Sequence, residues 1–161
     1  MKKTIFLTVT ALIVAAMAQA QLVYDFNDGS WGEAVNERPE SGTFTSTTTN
    51  GVKFNNAMLF QKEGKGQKRI ILDKSSLKSS VEFPEFEPGK KEVILDAAAG
   101  TEGKTFILEV KTGGKWSAAG DPVELSKSKA SYTAGIPEKA TQIRIKNATT
   151  SALYIWKVTI Q

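Results

Sequence analysis

The chain contains no histidine and no cysteine. The first absence removes Ser-His-Asp and Cys-His catalysis as these are ordinarily built, and the two together remove imidazole and thiolate metal sites. Without cysteine there is also no disulfide, so the domain is held by its core alone, and attachment of a lipid at a bacterial lipobox is excluded. No arginine-rich run points to nucleic acid; the lysines are scattered along the chain. No apolar stretch approaches the roughly 20 residues needed to cross a bilayer. What chemistry remains is that of carboxylate pairs, of Lys, Tyr or Arg as proton carriers, and of oxygen-ligated calcium.

The longest apolar stretch lies at the start. Met1-Lys2-Lys3 is basic, Ile5 to Met17 is apolar apart from threonines, and Ala18-Gln19-Ala20 is a small-x-small cleavage site. This is the pattern of a secretory signal peptide over residues 1–20, with a second cut available after Ala18. Cleavage near Ala20 makes Gln21 the mature start and places the protein in the periplasm or outside the cell. Removing the first twenty residues, with their two lysines, lowers the net charge from +4 to +2 and leaves 141 residues, one domain by size.

From Leu22 onward the pattern is that of short strands. Leu22 to Phe26, Thr43 to Thr49, Val52 to Phe54, Ala57 to Phe60, Arg69 to Leu72, Ser80 to Phe83, Glu92 to Ala97, Lys104 to Lys111, Val123 to Leu125 and Ser131 to Ala134 are each bounded by Gly, Pro, Asn, Asp or Ser clusters. Asn50-Gly51 and Thr112-Gly113-Gly114 are hairpin turns. Near the C-terminus Gln142 to Lys146 alternates polar and apolar, Asn147 to Ser151 is a turn, and Leu153 to Ile160 is rich in β-branched and aromatic residues. Ile143, Ile145, Ile155 and Val158 are expected in the core, and the two segments are expected to form a hairpin. Turn signals every eight to twelve residues and no convincing amphipathic helix imply an all-β, antiparallel β-sandwich or barrel over residues 21–161.

Two stretches carry a resemblance. Asp25-Phe26-Asn27-Asp28-Gly29 near the start and the strand pair from Ile143 to Ile160 resemble the corresponding parts of jelly-roll domains of the galactose-binding-like and carbohydrate-binding-module kind, as found in exported proteins of Bacteroidetes. The resemblance implies a non-catalytic module that recognises an extracellular polysaccharide or glycan beside a separate carbohydrate-active enzyme. Many such domains carry two acids after the Tyr-Ile of the final strand; here Tyr154-Ile155-Trp156-Lys157 has none, so a carboxylate role there does not carry over. The alternatives are a structural or protein-interaction β-sandwich and, third, a small lyase or glycosidase.

Sugar recognition needs aromatic faces beside planar hydrogen-bonding groups. Trp31 and Trp116 fall in loop or turn positions and are the candidate platforms, with Arg69 and Asn36, and also Arg38, as polar partners; Trp156, between Ile155 and Val158, reads as core. Asp25, Asn27 and Asp28 supply hard oxygens in one turn, candidates for a structural calcium ion or for an Asx-turn. Glu82, Glu92, Asp96, Glu109 and Glu124 are the carboxylates from which a glycosidase pair would be drawn; most fall at the outward positions of strands. Asn147-Ala148-Thr149 matches a glycosylation sequon and reads as a turn.

Overall fold

The computed structural model describes residues 20–37, 40, 44–62, 66–74 and 77–161. The expected signal peptide, residues 1–20, therefore lies outside the described residues apart from Ala20, and Arg38 lies outside them too. Thirteen strands occur among the described residues: β1 (Leu22–Asp25), β2 (Thr47–Thr49), β3 (Val52–Asn55), β4 (Ala57–Phe60), β5 (Arg69–Leu72), β6 (Ser80–Glu82), β7 (Glu92–Ala99), β8 (Lys104–Thr112), β9 (Lys115–Ala118), β10 (Val123–Leu125), β11 (Ala130–Gly135), β12 (Gln142–Asn147) and β13 (Leu153–Ile160). A 3-10 turn spans Gly29–Trp31. All pairings between these strands are antiparallel.

The strands make two sheets. One runs β11-β7-β13-β5-β4, with β1 also on β13; the other runs β10-β8-β12-β6-β3-β2, with β9 also on β8. The chain repeatedly changes layer, from β5 to β6, β6 to β7, β7 to β8, β11 to β12 and β12 to β13. This wrapping makes a jelly-roll β-sandwich. It also corrects the expected C-terminal hairpin. β12 and β13 sit centrally in opposite sheets, because both carry apolar inward faces that bury best against each other across the layer gap. Ile143, Ile145, Ile155 and Val158 are all buried, at 1% exposure or less. Each contributes roughly 1.5–3 kcal/mol on burial.

Asn50 (φ 50°) and Gly51 (φ 76°) turn β2 into β3, and Gly113 (φ 56°) and Gly114 (φ 80°) turn β8 into β9. Both pairs have the positive φ values that a two-residue hairpin matched to strand twist demands. The sequon asparagine is structural. Asn147 is 2% exposed; its Nδ2 donates to the Asp73 and Ser151 carbonyls, both at 2.9 Å, and its Oδ1 accepts from the Thr149 amide at 3.0 Å.

One irregularity organises the rest. Ile155 and Val158 are three residues apart, yet a strand returns to the same face every two. Both reach the core because the β13–β7 register shifts between Ile155, opposite Ala97, and Lys157, opposite Asp96. Trp156 is the extra residue of this β-bulge. At the same point the other side of β13 changes partner from β5 to β1, and the Trp156 carbonyl accepts from the Phe26 amide at 3.0 Å.

Candidate functional site

Alternation along β4, β5 and β13 decides what the outer face of the six-stranded sheet displays. Ala57 and Leu59, Ile70 and Leu72, and Leu153 and Ile155 pack on the main core. Their neighbours Met58, Phe60, Ile71 and Tyr154 therefore point outward, where with Phe44 and Ala152 they form a second, smaller apolar cluster. Arg69 shares that face, and the bulge adds Trp156, which is half-buried.

The Arg69 guanidinium carbon lies 5.1 Å from the Phe60 ring centroid, 5.2 Å from that of Tyr154 and 5.7 Å from that of Trp156. The Tyr154 and Trp156 centroids are 6.3 Å apart with their planes inclined at 54°. Three rings around one guanidinium hold it oriented, each contact contributing about 0.5–2 kcal/mol according to its exposure. A second cation approaches the indole: Lys129 Nζ is 5.4 Å from the Trp156 centroid. Lys129 also donates to Gln67 Oε1 at 3.1 Å and lies 4.0 Å from an Asp96 carboxylate oxygen. Ser131 Oγ donates to the other Asp96 oxygen at 2.6 Å. Beside Arg69 a cleft of about 450 Å³ opens, lined by Asn36, Glu37, Phe60, Lys62 and Tyr154 as well.

Of the residues expected to bind, Arg69 and Asn36 meet in this cleft. Trp31 does not join them. It is 6% exposed, its ring packed 4.7 Å from that of Phe26 in the main core, so it presents no open platform. The reason is local. Asp28 caps the 3-10 turn and directs the indole inward. Trp116 stands on the other sheet, at the opposite side of the sandwich, with the Arg144 guanidinium 4.3 Å from its centroid. Arg144 is in turn held by Glu109 at 2.5 Å, and Glu109 also takes Lys146 at 3.2 Å. Trp156, read from sequence as core, is outward because of the bulge. Tyr154, Phe60 and Lys129 were missed; the signal that finds Trp156 is the odd spacing of Ile155 and Val158.

The oxygens of the first turn serve amides. Asp25 Oδ1 accepts from the Asn27 amide at 3.0 Å, Asp28 Oδ1 from the Ser30 amide at 2.5 Å, and Asn27 Oδ1 from the Lys68 amide at 3.2 Å. The Ser30 hydrogen bonds hold the exposed Asp28 carboxyl below its ordinary range, with Lys68 adding a small electrostatic pull. This is Asx-turn geometry and does not fit the shared cage of six to eight oxygens that calcium takes. Among the described residues no group of three or more His, Cys, Asp or Glu gathers to hold a metal ion. Of the candidate carboxylates, Glu82 pairs with Lys53 at 3.1 Å, Glu109 with Arg144 and Lys146, and Asp96 with Ser131 and Lys129, while Glu92 accepts from Gln161 at 2.6 Å. No helix among the described residues is long and apolar enough to cross a membrane.

No family model matches the chain, and no curated protein does. Solved structures resemble it. The K2 cleaved adhesin domain of Lys-gingipain superposes with a TM-score of 0.58 at 8% identity, over 88% of this chain and 99% of that one. A family 29 carbohydrate-binding module in complex with cellulohexaose gives 0.54 at 10% identity, over 86% of this chain and 89% of that one. The family 35 carbohydrate-binding module from Paenibacillus barcinonensis gives 0.52 at 11% identity, over 87% and 98%. The chain thus has the β-sandwich fold shared by these modules and the adhesin domain.

Proposed function

We propose that this protein is an exported, non-catalytic carbohydrate-binding module that grips an extracellular polysaccharide or glycan on the outer face of its six-stranded sheet. Trp156 and Tyr154 are the stacking surfaces, and Arg69, with Asn36, addresses hydroxyl or carboxyl oxygens. The observation that carries this reading is the grouping of two half-buried rings and a ring-held guanidinium beside an open cleft, on strands β4, β5 and β13, where the polar alternation of an ordinary wet face is missing. Concave sites with a few convergent polar groups among aromatic walls are where small polar molecules bind. A fold in common with modules of two carbohydrate-binding families supports it. Export is supported by the basic start, short apolar run and small-x-small site of the first twenty residues. The absence of histidine and cysteine from the sequence and the pairing of Glu82, Glu92, Asp96 and Glu109 with hydrogen-bonding or cationic partners argue against a catalytic role; a separate carbohydrate-active enzyme would supply the chemistry.

Affinity electrophoresis through gels containing neutral and acidic polysaccharides tests the proposal. Retardation by at least one polymer is expected. It should fall about 30-fold in affinity on Trp156→Ala or Tyr154→Ala, the loss of a central aromatic anchor. Trp116→Ala should leave it unchanged. Passage through every gel without retardation, or loss of binding on Trp116→Ala alone, contradicts the proposal.

A further inference from the structure

The charges around the cleft narrow the class of glycan. Lys62 and Arg69 line it, with Glu37 the acid among the described lining residues. Beyond Tyr154, Lys129 meets the far side of the same aromatic group, with Asp96 beside it. The cations thus run across the strands, from the end of β4 through β5 to the start of β11. The strands of this face lie in the order β4-β5-β13-β7-β11. At the usual strand spacing the row of strands spans about 19 Å, but the charged heads of Arg69 and Lys129 converge on Trp156.

Trp156 is the pivot. Arg69 and Lys129 both lie over its ring, at 5.7 and 5.4 Å from the centroid. A group approaching this indole from solvent therefore meets two cations, which favours an anion over a neutral hydroxyl. The planar fork of Arg69, already oriented by Phe60 and Tyr154, matches a carboxylate bidentately and loses little freedom on doing so.

Resting on the carbohydrate-binding reading above, we propose that the ligand is an acidic polysaccharide, whose uronate carboxylates are taken by Arg69 and Lys129 while the sugar rings lie on Trp156 and Tyr154.

Polygalacturonate and its methyl ester are the probes, since they share a backbone and differ in charge. The purified protein is titrated with each by calorimetry, alongside a neutral glucan and mannan. The acid form is expected to bind at least about 10-fold more tightly than the ester. That margin should shrink between about 0.01 M and about 1 M salt, where the Debye length falls from roughly 30 to roughly 3 Å. Arg69→Gln should lower acid-form affinity about 10- to 100-fold and lower the ester's affinity by clearly less. Lys129→Gln should act in the same direction and more weakly, and it serves as the test if Arg69→Gln loses its thermal transition. Arg69→Lys, which keeps charge without the fork, should fall between. Equal binding of acid and ester, or binding of the neutral polymers alone, overturns the charge assignment and leaves the module reading standing. No binding to any of the four overturns both.

Discussion

Deleting Trp156 should leave the fold standing, an outcome that ordinary intuition about a central strand does not expect. With the bulge residue gone, Leu153, Ile155, Val158 and Ile160 fall at every second position, and the β13–β7 register becomes continuous through Ile155–Ala97 and Lys157–Asp96. The core residues keep their places. The losses are the hydrogen bond from the Phe26 amide, about 0.5–1.5 kcal/mol, and the indole's contacts with Arg69 and Lys129 at the surface, about 0.5–1 kcal/mol each. The regular ladder offsets part of this, leaving a net cost of about 1–2 kcal/mol. At about 4 °C per kcal/mol for a domain of this size, the melting temperature should drop by roughly 4–8 °C. The comparison is deletion of Tyr154, two residues upstream. That change makes Leu153 or Ile155 leave the core, costing roughly 1.5–3 kcal/mol for the exposed aliphatic, with about 1–3 kcal/mol more for misfitted packing. Thermal melts of the two deletions by circular dichroism decide the matter. Equal destabilisation by the two, or a Trp156 deletion that fails to fold, refutes the reasoning that the bulge is a local insertion serving the outer face.

Other consequences follow from particular groups. Asp28 has a lowered folded pKa, so its contribution is present above the ordinary aspartate range and lost as pH falls through the folded value; Asp28→Asn, which keeps an oxygen acceptor for the Ser30 amide, should flatten the acid side of a stability–pH profile measured by urea denaturation. Burial raises the pKa of Tyr24, whose ring sits edge-on to Phe83 at 4.9 Å, so stability should decline as pH rises above about 10 and decline less in Tyr24→Phe, read from the same titration carried into alkali. Ser79 is fully buried, its hydroxyl accepting from the Asp73 amide at 2.9 Å and donating to the Asn56 carbonyl at 2.7 Å; Ser79→Ala should cost about 1–3 kcal/mol in denaturant melts, whereas an unchanged midpoint would mean that these groups find other partners.

The fold was readable because its signals are local. Alternation at Gln142 to Lys146 and the Asn50-Gly51 and Gly113-Gly114 turns each act within a few residues, and they predict strands and hairpins correctly. Which sheet a strand joins is a long-range matter. β12 and β13 read as a hairpin because the five residues between them suit a turn, and what separates them is burial of two apolar faces against each other. The site was readable only in part for the same reason. Arg69 and Asn36 are 33 positions apart, and nothing short-range announces that the loop before β2 returns to β5. Trp31 read as a loop ring because its neighbours are polar, yet an Asp-capped 3-10 turn drives it inward against Phe26. Trp156 read as core from the apolar residues around it. The contradiction was already visible in the three-residue step from Ile155 to Val158, which only a bulge reconciles.

The three tryptophans supply the most direct test of where ligand binds. Each indole N–H gives its own proton–nitrogen resonance, and Trp31, Trp116 and Trp156 sit respectively in the core, on the seven-stranded sheet and on the six-stranded sheet. Titration with the polysaccharide that is retained best should shift the Trp156 signal progressively and leave those of Trp31 and Trp116 in place. Movement of the Trp116 signal with Trp156 unmoved would put the ligand on the wrong face and contradict the account.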